Sequence, residues 1–122
     1  MNVIIIERIR TMTHDKFIES VNTTLTRCCE LLLSKGQEYN SEADRLAAFK
    51  QAGALERTTP QRALFGMVAK HLISLQNMCD TEIRDYPVER WNEKIGDTIN
   101  YMLLLKGLID EEYQEESKHG KH

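Results

Sequence analysis

The stretch WNEKIGDTINYMLLLKGL, residues 91–108, decides the fold. At 100° per residue, placing Glu93 at zero puts Asp97 at about 40° and Asn100 at about −20°. Leu104 and Leu108 continue the same stripe. Trp91, Ile95, Ile99, Met102, Leu103 and Leu105 occupy the rest of the wheel. A helix that is apolar nearly all round is buried or shared between subunits. Its polar stripe therefore faces something internal, because that stripe runs on into leucine. Buried carboxylates are costly unless they are paired or bound to a cation. Glu93, Asp97 and Asn100 thus form a candidate wall for a divalent cation or a polar ligand. The plainer reading is that Asp97 pairs with Lys70, Lys94 or Arg45.

Outward from this stretch, the sequence reads as helix after helix. The last helix is predicted from Pro87 to about Glu116, preceded by a polar loop over Asp80–Tyr86. Thr59 followed by Pro60 is a cap plus a proline at the first helical position, which starts a third helix. Leu64, Met67, Val68, His71, Leu75 and Met78 lie along one face of it. Ser41 with Asp44 resembles a capping box opening a short second helix that closes near Gly53. Thr13 caps a first helix whose stripe is Phe17, Val21, Leu25, Cys28 and Leu32, ended by Lys35 and Gly36. The expected class is all-α, a four-helix bundle-like subunit over residues 13–116, with a polar tail at 117–122. Residues 1–12 contain Val3–Ile6, of strand composition, and are expected to form a strand or arm used in oligomerisation.

Composition bounds the alternatives. With 122 residues the chain is one domain's worth of protein. Sixteen basic against nineteen acidic residues give a net charge of −3, without the excess of Lys and Arg that drives general nucleic-acid binding. The longest apolar runs, Val3–Ile6 and Met102–Leu105, fall far short of the ~20 residues of a spanning helix. The opening residues lack the basic n-region of a secretion signal. Three cysteines, Cys28, Cys29 and Cys79, show no metal-ligand spacing and read as buried free thiols of a reducing cytosol. A cytoplasmic protein is the expectation.

Candidate site residues come from three places. On the last helix they are Glu93, Asp97, Asn100 and Tyr101. On the third helix, His71 lies on the apolar stripe with Lys70 beside it; such a lysine can turn inward toward phosphate. After the first helix come Glu38, Tyr39, Glu42 and Asp44, either solvated acids and a cap or a second set of hard oxygen ligands opposite Asp97. Mg²⁺ needs only a few carboxylates, with waters and substrate phosphates completing its shell. No phosphate loop, dinucleotide fingerprint, zincin motif or nucleophile elbow is present.

Lys35-Gly36-Gln37-Glu38-Tyr39, Asp44–Phe49, Ala69-Lys70-His71 and Glu93–Tyr101 together resemble small helical proteins of bacteriophages and prophages. These are distantly similar to MazG-like all-α nucleoside triphosphate pyrophosphohydrolases and to nucleotide-modification-associated helical domains. The resemblance spans about residues 25–112. It implies a dimeric or tetrameric all-α protein with a Mg²⁺-dependent site that cleaves nucleotides between the α- and β-phosphates. Asp97 matches the terminal aspartate of an E-x-x-D motif; Lys94 stands where the glutamate is expected, with Glu93 next to it. In this reading Glu38, Asp44, Glu93 and Asp97 hold the metal, with Glu38 and Asp97 catalytic. Lys70 and His71 contact phosphate, and Asn100 and Tyr101 position the ligand. The alternatives are an oligomeric protein that binds or sequesters a nucleotide or nucleotide-derived signal without turnover, and a structural or interaction module.

Overall fold

In the computed structural model, residues 10–36 and 43–119 are described. Among them are four α-helices and no strand: α1 His14–Gly36, α2 Ala47–Leu55, α3 Pro60–Cys79 and α4 Val88–His119, with one 3₁₀ turn at Ile83–Asp85. The chain is all-α, as its periodicity predicts. The expected strand or arm lies outside the described residues for positions 1–9. At the other end, helix continues to His119, three residues into the stretch expected to be a polar tail.

Each helix boundary has a local cause. The Thr13 hydroxyl accepts the Lys16 N–H at 3.2 Å and opens α1. The Thr59 hydroxyl accepts the Arg62 N–H at 3.2 Å, and Pro60 follows at the first helical position of α3. The start of α2 differs from expectation. A carboxylate oxygen of Asp44 accepts the Leu46 N–H at 3.0 Å, closing a turn, so regular helix begins only at Ala47. The side chain that reads as the acid of a capping box is itself the turn-former.

Gly53 does not end α2; it is buried inside it. Beyond it Arg57 adopts a left-handed conformation at φ 58°. The Thr58 N–H then donates to the Gly53 carbonyl at 2.8 Å and the Arg57 N–H to the Ala54 carbonyl at 3.2 Å. This is a Schellman ending with arginine where glycine is usual. The chain turns so sharply that the Thr59–Pro60 backbone lies 2.8–2.9 Å from where a Cβ on Gly53 would stand. At the far end of α3, the Trp91 indole donates to the Ile83 carbonyl at 3.0 Å, with the Tyr86 ring edge-on to it, fixing the turn into α4.

Phe49, Leu64, Val68 and Leu108 are the buried core, flanked by Leu46, Met67, Tyr101, Leu104 and Leu105. Leu64 meets Leu108 in this core, and farther along α3 the His71 ring meets Tyr101, so α3 and α4 are antiparallel. Burial of each large core side chain stabilises the fold by about 1.5–3 kcal/mol. α1 lies along α4 in the same direction: its Thr24 region sits by Asn92, its Cys28 thiol reaches the Gly96 carbonyl at 3.8 Å, and Leu32 lies near Asn100 and Leu104. One finding departs from the wheel. Ile95, Met102 and Leu103 of α4 are exposed within the single chain. α1 and α3 cover two sides of α4 and leave this third side open.

Two substitutions test the α2–α3 junction. Gly53→Ala forces a Cβ onto backbone atoms that cannot yield and should lower stability by about 2 kcal/mol. Arg57→Gly removes the left-handed penalty and should raise it by about 0.5–1 kcal/mol. Thermal unfolding followed by circular dichroism reads both, with midpoint shifts of opposite sign.

Candidate functional site

Four of the expected site residues converge. His71 from α3 and Asp97, Asn100 and Tyr101 from α4 line one pocket of about 230 Å³, closed by Leu32 and Lys35 of α1 and by Arg45 and Phe49 near α2. The convergence follows from packing. His71 belongs to the core stripe of α3, and Asn100 and Tyr101 stand where α4 passes between α1 and α3. The His71 and Tyr101 rings lie 5.2 Å apart and tilted by 45°.

The chemistry of the pocket is set by two orphaned atoms. Asn100 is only 8% exposed, and among the described residues its Oδ1 has no hydrogen-bond partner; neither has the buried Nδ1 of His71. An unpaired buried polar atom costs roughly 1–3 kcal/mol in desolvation. Both residues line this pocket, so an incoming polar group or a water could satisfy either atom. Lys35 and Arg45 add two cations to the same wall; an Arg45 guanidinium nitrogen also lies 3.5 Å from the Leu32 carbonyl. Asp97 is the one carboxylate among the described lining residues.

Asp97 and Asn100 also line a second, larger cavity. This groove of about 630 Å³ runs between α1 and α4, with Cys28, Leu31 and Ile95 as apolar wall and Arg27, Glu89 and Glu93 among its polar residues. Glu93 and Asp97 thus share a groove, one helical turn apart. All three thiols are free, as expected, but only Cys28 is buried; Cys29 and Cys79 are exposed. Burial, followed by the neighbouring Cys29, pushes the Cys28 thiol above its ordinary value, so it stays protonated and unreactive.

The remaining candidates go elsewhere. Asp44 is turned away from Asp97. Its carboxylate lies 2.5 Å from the Lys50 ammonium, which also holds Glu111 at 2.9 Å. Glu111 is fourteen residues past Asp97 on α4, or ~21 Å along the helix axis. The hydrogen bond from Lys50, then that from the Leu46 N–H, holds the Asp44 carboxyl below its usual range. Such a depressed value stabilises the turn above the ordinary aspartate range and is lost as pH falls through the folded value. Lys70 is exposed, one position round the helix from the inward His71. Glu38 lies outside the described residues. Among the described residues, no three of His, Cys, Asp and Glu are gathered as a metal site.

Lys35 and Arg45 are the pocket-lining residues that sequence reading did not place among the candidates. Lys35 reads as a helix-ending cation, although Leu32 and Lys35 share a helix face at a spacing of three. Arg45 reads only as a partner for Asp97. Neither signal says that the chain brings the two together over His71.

The fold and the pocket define an all-helical protein with a small, partly cationic polar cavity at the meeting of its helices. Comparison with known proteins adds no relative: no family model, no curated protein and no solved structure matches this chain. None of the described helices is long and apolar enough to cross a membrane.

Because the Asn100 Oδ1 has no partner among the described residues, Asn100→Leu, of similar volume, removes its desolvation cost. Chemical denaturation of the ligand-free chain should then show a gain of about 1–2 kcal/mol.

Proposed function

We propose that this chain binds a small phosphorylated ligand of the nucleotide class in the pocket between its four helices. The observation that carries the reading is the pair of buried, unpartnered atoms, Asn100 Oδ1 and His71 Nδ1, within a wall that also holds Lys35 and Arg45. Phosphate oxygens suit the two cations, where charge-assisted hydrogen bonds contribute about 1.5–3 kcal/mol each. Asn100 Oδ1 accepts a hydroxyl or amine of the ligand, and His71 serves as donor or acceptor according to its tautomer. A volume of about 230 Å³ suits a phosphate with its adjoining sugar better than a whole nucleotide, so the base extends beyond this pocket.

Mg²⁺-dependent hydrolysis is the second reading, and Glu93 with Asp97 in one groove favours it. Mg²⁺ is held by as few as one or two carboxylates when substrate phosphates complete its shell. When bound, the ion would neutralise phosphate charge; Glu93 and Asp97 would hold it, with Lys35 and Arg45 orienting the phosphates. The MazG-like bundle and a cytoplasmic site of action belong to this same proposal.

Isothermal titration with nucleoside mono-, di- and triphosphates and with inorganic phosphate, each with and without Mg²⁺, tests it. Micromolar binding is expected, weakened at least tenfold by Lys35→Ala and by Asn100→Leu. Release of pyrophosphate with Mg²⁺, abolished in Asp97→Asn, would select the hydrolase. No binding by any member of the panel overturns both readings.

A further inference from the structure

The groove between α1 and α4 carries charge of the opposite sign to the pocket beside it. Glu89, Glu93 and Asp97 all line it, and Arg27 is the one cation among its described lining residues. The three acids stand four residues apart on α4, so they share a helix face and follow one another at ~6 Å along its axis. None of them is in an ion pair with a described residue. Leu31 of α1 and Ile95 of α4 give the same groove an apolar wall.

A row of acids on a helix face is ordinarily hydrated and nothing more. Asn100, at the end of this row, makes the difference. It lines the groove, it is only 8% exposed, and its Oδ1 has no partner among the described residues. Amide and carboxylate oxygens are acceptors only. An occupant of the groove therefore meets acceptors at four successive side chains, and it must bring N–H donors and positive charge to them.

Spacing separates the two kinds of cation that answer this description. A divalent metal ion draws its ligand oxygens to about 2.0–2.6 Å from a single point, whereas these acids are strung out along an axis beside apolar side chains. An aliphatic amine matches both features. Four methylenes, joined by bonds of ~1.5 Å, set two ammonium nitrogens ~6 Å apart, the same interval as the acids. The methylenes lie against apolar surface while the charged ends stay with the carboxylates, as the stem and head of a lysine do.

We propose that the α1–α4 groove is a binding site for a linear aliphatic diamine or polyamine. Its ammonium groups pair with Glu89, Glu93 and Asp97, its chain lies on Leu31 and Ile95, and its inner end donates to Asn100 Oδ1. This site is distinct from the phosphate pocket at His71 and does not depend on what that pocket takes.

Isothermal titration of the full chain with 1,4-diaminobutane, spermidine, 1,2-diaminoethane and butylamine tests it, in about 0.15 M salt so that distant surface charges are screened. Saturable one-to-one binding of 1,4-diaminobutane and spermidine is expected, with the shorter diamine and the monoamine at least fivefold weaker. Glu89→Gln and Glu93→Gln should each weaken binding by roughly two- to fivefold, the scale of an exposed ion pair, with helicity retained by circular dichroism. Glu112→Gln, at an exposed position of α4 that does not line the groove, should leave binding unchanged. The absence of saturable binding overturns the proposal, as does equal affinity for diamine and monoamine, or an equal loss in Glu112→Gln. Displacement of the diamine by an equimolar amount of Mg²⁺ also overturns it, by marking the acids as a metal site. Diamine binding without nucleotide binding leaves this site standing and removes the phosphate reading; the reverse result removes this proposal alone.

Discussion

The antiparallel packing of α3 on α4 is the contact on which everything else in this protein rests. Leu64, Val68 and Leu108, joined by Phe49 from α2, form the one buried cluster among the described residues. The same register that joins Leu64 to Leu108 brings His71 against Tyr101 at the other end of the seam. The pocket is therefore a consequence of the core rather than an addition to it. A slip of one turn between α3 and α4 would move His71 by ~5.4 Å and dissolve the site before it touched the fold class.

Around this seam the structure spends stability in several places. Asn100 and His71 carry polar atoms into the interior with nothing described to satisfy them. Arg57 takes a backbone conformation that glycine adopts more readily. Gly53 admits no side chain because the chain reverses directly over it. The last two serve geometry: they turn α2 back onto α3, which puts Arg45 and Phe49 at the mouth of the pocket. The first pair has no structural return, and that asymmetry is the physical reason for reading the cavity as a binding site.

α1 stands apart from this economy. Its apolar stripe is as regular as those of α3 and α4, yet it meets mainly one partner helix, along its middle. The groove beside it exposes Leu31 and Ile95, and the open side of α4 exposes Met102 and Leu103. The pocket at His71 and the α1–α4 groove share Asp97 and Asn100, so a change at either is felt by the same two side chains.

Most of the fold was legible from spacing and local chemistry. The caps at Thr13 and Thr59, the stripe on α3 and the length of α4 depend on interactions within a few residues, and those are written in order along the chain. The stripe of Asp97 and Asn100 on α4 was legible for the same reason, since a helix fixes which residues share a face. What periodicity does not carry is which helix comes to lie against which. Asp44 reads as a candidate ligand until Lys50, which also holds Glu111, pairs with it, and Lys35 reads as a helix-ending cation and Arg45 as a partner for Asp97 until α1 and the start of α2 bring both to the pocket at His71. Those pairings are set by the packing of distant segments around Leu64 and Val68, so only the tertiary structure decided them.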